Sequence, residues 1–169
     1  NASYPDVSFA NLASEGYIKS EIVHACIREL AVGAASAQYQ VIAPSTDGGT
    51  VAVERGPLFD LMKRPNPAMS WYQFIEEFVT YLQVAGNVYT YKERDRGNRV
   101  TALQLLRPDR MRIVPGSYGA ESYVYEVDGK DYMLPKDDVC HLALPNPSGD
   151  LYGLSPLQTL ARTVNLDSA

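Results

Sequence analysis

The sequence predicts an α+β protein in which helices pack on an antiparallel β-sheet built from hairpins. Three observations support this fold class. Apolar residues recur at helical spacing in the first half of the chain, the spacing changes to alternation after Gly86, and hairpin turn residues separate the alternating segments. The order of helices, then strands, then a helix differs from the regular βαβ alternation of parallel α/β folds.

The chain opens with a polar stretch and then a predicted helix. Residues 1–16 contain Pro5 and Gly16 and are predicted to form a flexible N-terminal arm. The spacing predicts a helix over 17–35. Its apolar residues, which we expect to face the core, are Ile18, Ile22, Cys26, Ile27, Leu30 and Ala34.

Two short strands and a short helix are predicted next. Residues 38–42 alternate between polar and apolar side chains, which is typical of a strand. The Asp-Gly-Gly loop at 47–49 separates them from a second short strand at 50–53. Pro57 suits the first turn of a helix through Met62, because proline lacks the backbone N–H that this position leaves unused.

The segment from Ser70 to Gly86 carries the clearest helix signals. Ser70 and Gln73 have the spacing of a capping box, and Gly86 suits the left-handed position just past a helix end. The predicted apolar stripe consists of Trp71, Phe74, Ile75, Phe78, Leu82 and Ala85.

A block of strands follows Gly86. The strongest hairpin signal is Asp128-Gly129, because this pair supplies the positive φ angles of a two-residue turn. The predicted strands are 87–92, 100–106, 111–114, 123–127, 130–134 and 139–144.

A last helix is predicted to begin at Ser155, with Pro156 in its first position and Gln158 completing a second capping box. The chain stops at Ala169 without a glycine or proline stop signal. This pattern predicts that the sequence is part of a longer protein.

The charge distribution offers one candidate interaction patch. The net charge of −5 and the pI near 5.0 argue against a dedicated DNA-binding protein. Between residues 92 and 112, however, seven cations face three acids. One interpretation is a solvated hairpin, and the other is a docking patch for an acidic partner or for DNA backbone. The patch comprises Lys92, Arg94, Arg96, Arg99, Arg107, Arg110 and Arg112.

The sequence contains no convincing catalytic or metal site. His24 lies on the polar side of the first predicted helix, and Cys140 and His141 are strand neighbours whose side chains diverge. Asp137-Asp138 has the character of a charged turn. There is no metal-ligand spacing, phosphate-binding loop, signal peptide or membrane-length apolar run. We therefore expect no enzyme activity, no catalytic residues, no metal, no cofactor and no membrane partner, with both cysteines reduced.

Short motifs in a fixed order resemble those of phage portal proteins, the head–tail connectors of long-tailed phages. The resemblance runs from about residue 17 to residue 168. The motifs are His24 to Arg28, Tyr39-Gln40-Val41, Pro57 to Met62, Arg64-Pro65-Asn66-Pro67, Ser70 to Phe78, Gly86-Asn87-Val88-Tyr89, Leu103 to Arg110, Val139-Cys140-His141 and Tyr152 to Leu157.

The resemblance implies a structural protein and not an enzyme. It implies that residues 17–169 form a portal wing-like domain, truncated at its C-terminal end. Such a protein forms a ring, typically a dodecamer, at one vertex of a phage or prophage capsid within the virion, after assembly in the bacterial cytoplasm. Its implied partners are terminase, the major capsid protein, head-completion and tail proteins, and double-stranded DNA bound without sequence specificity. The alternatives are a small cysteine or serine hydrolase and a protein- or DNA-binding adaptor that uses the basic hairpin.

Overall fold

The computed structural model describes residues 17–18, 20–149 and 151–160 of the chain. Its helices are α1 (Glu21–Ala35), α2 (Pro57–Lys63) and α3 (Trp71–Ala85). Its strands are β1 (Ile42–Pro44), β2 (Thr50–Ala52), β3 (Asn87–Arg94), β4 (Val100–Leu106), β5 (Met111–Gly116), β6 (Gly119–Val127), β7 (Lys130–Pro135) and β8 (Val139–Ala143). Residues 156–160 are also helical. The α+β class is confirmed.

The described strands form three antiparallel sheets. Strands β1 and β2 make a two-stranded ribbon, and the other two sheets have the orders β4-β3-β8 and β5-β6-β7. A buried cluster joins the two larger sheets and consists of Tyr89, Met111, Ile113, Tyr123 and Val139. The predicted N-terminal arm and the end of the predicted last helix lie outside the described residues.

Helix α3 begins and ends where the sequence predicts. Ser70 Oγ accepts a hydrogen bond from the Gln73 backbone, and the Gln73 side chain accepts one from the Ser70 backbone, which completes the capping box. Gly86 has a φ of 71°, in the left-handed region. The Asp128-Gly129 turn is also confirmed, with φ angles of 50° and 72° between β6 and β7.

Helix α1 differs from the prediction in both its start and its buried face. Ser20 caps it, so the regular helix begins at Glu21. Its buried residues are Ile27, Ala31 and Ala35, whereas the predicted core residues Ile18, Ile22, Cys26 and Leu30 are exposed. Because alanine side chains are small, α3 packs closely against the face of α1 that carries Ala31 and Ala35. The face that carries Ile22 and Leu30 is therefore turned to solvent.

Residues 38–41 do not form the predicted strand. The Tyr39 ring packs edge-on against Trp71, with ring centroids 5.8 Å apart, and its hydroxyl donates to the Ala34 carbonyl at 2.9 Å. These contacts hold the segment beside the two long helices, and the strand ladder begins at Ile42.

The outer edge of β4 is met by the loop that precedes α3. The Leu103 N–H donates to the Pro65 carbonyl at 2.7 Å, and Asn66 Nδ2 donates to the Leu103 carbonyl at 2.9 Å. Asn66 is buried as a result. Two of the residues in the Arg-Pro-Asn-Pro motif therefore complete the hydrogen bonding at the centre of an edge strand.

Among the described helices, none combines the length and the apolar character needed to cross a membrane.

Candidate functional site

Three distant parts of the chain meet at a group of buried polar contacts, which we call the polar junction. It comprises Gly86, Asn87, His141, Gly153 and Ser155. These residues come from the end of α3, the start of β3, strand β8 and the segment that leads into the helical residues 156–160. Three of the sequence motifs therefore converge on one place.

Asn87 is the centre of the polar junction and is only 1% exposed. Its Nδ2 donates to the carbonyls of Ala85 at 2.9 Å and Gly153 at 3.3 Å. Its Oδ1 accepts from the Gly153 N–H at 2.8 Å. The amide therefore pairs with both backbone groups of Gly153, as a neighbouring strand would, and fixes the closing segment to the start of β3.

Two glycines allow the backbones to approach at this point. The Leu144 N–H donates to the Gly86 carbonyl at 2.8 Å. A Cβ atom at Gly153 would lie 2.0 Å from the Gly86 oxygen and 2.6 Å from the Leu144 nitrogen. A Cβ at Gly86 would lie 2.6 Å from the Ser155 nitrogen. Only glycine fits at either position without moving the backbone.

Ser155 connects the ends of two helices. Its hydroxyl hydrogen is shared between the carbonyls of Gln83 at 2.9 Å and Val84 at 2.7 Å, in the last turn of α3. Its Oγ also accepts from the Gln158 N–H at 3.2 Å, which confirms Ser155 as the cap of the closing helix. One buried side chain thus satisfies backbone groups that both helix ends leave without intrahelical partners.

His141 completes the polar junction as a neutral hydrogen-bond donor. Its Nε2 lies 3.0 Å from Asn87 Oδ1, which already accepts from Gly153 and has no proton to give. The shared contact therefore requires the proton on His141 Nε2. The ring stacks on Tyr89 with centroids 4.3 Å apart, and burial lowers the pKa of His141 to about 4.

Comparison with known proteins places these motifs in one family. A family model described as "Phage portal protein" matches residues 21–169. The chain belongs to the phage portal protein family.

Individual relatives of the portal chain are longer than the chain itself. A protein of unassigned function from Rickettsia bellii (strain RML369-C) is 26% identical over 172 residues, which covers 95% of this chain and 43% of the relative. A chain from the virion of a native gene transfer agent (GTA) particle is 25% identical with a TM-score of 0.77, covering 93% of this chain and 41% of its own. A chain from the neck of a native GTA particle computed with C12 symmetry is 24% identical with a TM-score of 0.79. The match covers 98% of this chain and 43% of the neck chain. The portal chain therefore spans less than half the length of these relatives.

The portal motifs at this site are packing and capping elements. Sequence reasoning assigned Gly86 and Ser155 to helix ends correctly, but it named Asn87 only as part of a family motif and predicted no contact for it. It also missed Tyr152, whose hydroxyl accepts from the Ile113 N–H at 3.0 Å and so attaches the closing segment to the β5-β6-β7 sheet. No local pattern marks either contact, because the partners lie 66 and 39 residues apart along the chain.

The residues considered for catalysis in this portal chain do not come together. Cys140 is exposed and pairs with Thr90 across the sheet, while His141 pairs with Tyr89 and points to the other face. His24 is exposed and packs near the Tyr17 ring, with centroids 4.6 Å apart. Within the described part of the chain, no three Cys, His, Asp or Glu residues are placed to hold a metal ion.

The candidate basic patch is divided by the length of β4, roughly 23 Å for seven residues. Arg94, Arg96 and Arg99 lie near its first residue, Lys92 lies opposite its central residue Leu103, and Arg107, Arg110 and Arg112 follow its last residue. Among the described residues, four of the seven cations form ion pairs: Arg94 with Asp138, Arg99 with Asp95, Arg107 with Asp109, and Arg112 with Asp131. The arrangement resembles two partly neutralised clusters more than one continuous cationic surface.

The buried imidazole makes the stability of the portal chain dependent on pH. In the unfolded chain His141 binds a proton near its ordinary pKa of 6.5, whereas the folded chain resists protonation down to about pH 4. The stabilisation is therefore complete above pH 6.5 and is lost as the pH falls towards 4. We expect a loss of about 2 kcal/mol, which allows for the partial solvent exposure of the ring.

Urea unfolding at pH 7 and pH 4.5 measures this loss, with His141→Gln as the comparison. The glutamine amide can still donate to Asn87 but does not titrate. Carboxylates contribute equally to both proteins, so the difference between their pH dependences isolates His141. Equal pH dependences in the two proteins would contradict this prediction.

Proposed function

We propose that the chain is the wing part of a portal ring at one vertex of a phage or prophage capsid. In this role it helps to form the ring through which DNA is packaged and ejected. Membership of the portal family supports the proposal, and the polar junction is the observation that carries it, because the family's motifs here serve to hold the closing segment on the sheet. A building block that must present a neighbouring part of the ring at a fixed angle requires such rigidity.

The proposed assembly contains many copies and several partners. Similar chains belong to GTA necks computed with C12 and with C6 symmetry, which supports a ring, and we infer that the ring has twelve copies. We infer that terminase docks on the ring during packaging and that head-completion and tail proteins attach later, with the major capsid protein around it. The ring then belongs to the virion and is assembled in the cytoplasm of the bacterial host. The acidic balance of the chain suits a structure that DNA must pass, because many phosphate contacts would slow its movement.

Assembly of the protein from its complete open reading frame tests this function. We expect rings with a central channel in negative-stain electron microscopy and a light-scattering mass of twelve subunits. The 169-residue chain alone should be a monomer or a small oligomer. A complete protein that remains monomeric at every concentration would contradict the proposal.

The two alternative functions have weaker support. A cysteine hydrolase needs a thiol and a base in contact, and Cys140 and His141 lie on opposite faces of the sheet. A DNA-binding adaptor needs a continuous cationic surface, and the seven-residue basic patch is divided and largely paired. We infer that the patch contributes at most weak, salt-sensitive and sequence-independent contacts to DNA or to an acidic partner.

A further inference from the structure

Helix α1 has two apolar faces, and the described residues cover only one of them. Ile27 and Ala31 pack towards α3. The second face carries Ile22, Cys26 and Leu30, spaced four residues apart, which we call the outer stripe. Ile22 is 78% exposed, Leu30 is 56% exposed and Cys26 is exposed. Apolar residues repeated at this spacing are typical of a helix face that is buried against a partner.

The same chain contains a concave apolar surface, which we call the apolar groove. Its volume is about 420 Å³, and it lies between the β1–β2 ribbon, α2 and the start of α3. Apolar side chains dominate its walls: Tyr39, Val41, Val53, Phe59, Met62 and Trp71.

We propose that the outer stripe of one copy packs into the apolar groove of the next copy around the ring. This inference rests on the proposed ring. A closed ring of identical subunits requires two different surfaces on each subunit, one for each neighbour. The stripe is convex and the groove is concave, and both are apolar, so they supply such a pair.

The charges beside the two surfaces are compatible with this contact. Glu29 is exposed on α1 beside the stripe, and Glu54 and Lys63 are exposed at the groove. Glu29 of one copy therefore offers an anion to Lys63 of the next. Opposite charges at the rim of an apolar contact fix its register without contributing much to its affinity.

The size of the contact explains why it needs the rest of the ring. The stripe consists of only three exposed apolar side chains, whereas a stable interface buries about 800 Å² on each partner. The contact is therefore too small to hold two isolated chains together. It becomes occupied when other parts of the assembled protein bring neighbouring copies side by side.

Cysteine cross-linking in the complete protein tests this pairing. All other cysteines, including Cys140, are replaced by serine, and Met62→Cys is introduced in the groove opposite the native Cys26. Because both positions are partly or fully exposed, the variant should fold. Treatment with a short bismaleimide should give a covalent ladder from dimer up to the complete ring.

Two controls make the result specific. A protein that retains only Cys26 or only the groove cysteine should give no ladder. Dimers from Cys26 alone would instead show that two α1 helices meet symmetrically. Moving the α1 thiol to an exposed position away from the stripe, with Cys26→Ser and Arg28→Cys, should reduce the ladder by about tenfold or more, because those thiols are no longer held together. Rings that form without the ladder, or with dimers from Cys26 alone, would overturn the stripe–groove contact and leave the ring function standing. If the complete protein without substitutions also forms no rings, both proposals are wrong.

Discussion

Gly153→Ala is expected to destabilise the protein by about 4 kcal/mol or more, or to prevent it from folding. The added methyl group would lie 2.0 Å from the Gly86 oxygen and 2.6 Å from the Leu144 nitrogen. Both are backbone atoms, so no side chain can rotate away to make room. Relief requires the closing segment to move off the sheet, which also breaks the hydrogen bond from Gly153 to Asn87.

Urea unfolding followed by circular dichroism measures this loss, and Gly33→Ala provides the matched control. Gly33 lies inside α1, and a Cβ atom there has no neighbour within 4 Å. Alanine at that position should stabilise the protein by about 0.5–1 kcal/mol, because it favours the helix. The same chemical change should thus have opposite signs at the two positions. A Gly153→Ala protein with wild-type stability would show that the described approach of the two backbones is wrong.

Asn87→Ala should cost about 3–5 kcal/mol, the second-largest effect that we expect. The substitution removes the buried amide that pairs with Gly153, Ala85 and His141. The N–H of Gly153 then stays buried without an acceptor, and the cavity left by the amide adds to the loss. Hydrogen exchange should accelerate at residues 151–160 before the β5-β6-β7 sheet is affected, because the closing segment loses its attachment first.

Gln104→Ala is the control for removal of an amide. Among the described residues, the Gln104 side chain makes one hydrogen bond, an exposed one to Glu93 at 3.2 Å, so its loss should change stability by less than about 0.5 kcal/mol. Asn87→Asp provides a second test, of the contact between residue 87 and His141. A carboxylate beside His141 should raise the pKa of the imidazole, which NMR titration would detect. An unchanged His141 pKa in that variant would show that the two side chains are not in contact.

Local signals in the sequence predicted the parts of the fold that local chemistry determines. Ser70, Gln73 and Gly86 give the bounds of α3 because a cap and a left-handed glycine act within one helical turn. Asp128-Gly129 likewise sets its hairpin through two φ angles. The order of the family motifs also predicted the family to which the chain belongs.

The rest depends on contacts between distant residues. Helix α1 offers two apolar faces, and its sequence cannot indicate that α3 will select the one with Ala31 and Ala35. The role of Asn87 depends on Gly153, 66 residues later. The predicted site in the basic hairpin rested on charge density alone, and the partners that neutralise Arg94 and Arg112 lie in later segments, at Asp138 and Asp131.

The contact of Pro65 and Asn66 with Leu103 has a consequence for protein made in many copies at once. An unprotected edge strand can pair with a strand of another molecule, and such pairing leads to aggregates. Here a short loop already occupies the central donor and acceptor of β4. A newly synthesised chain is therefore protected at this edge from pairing with strands of other molecules before it assembles.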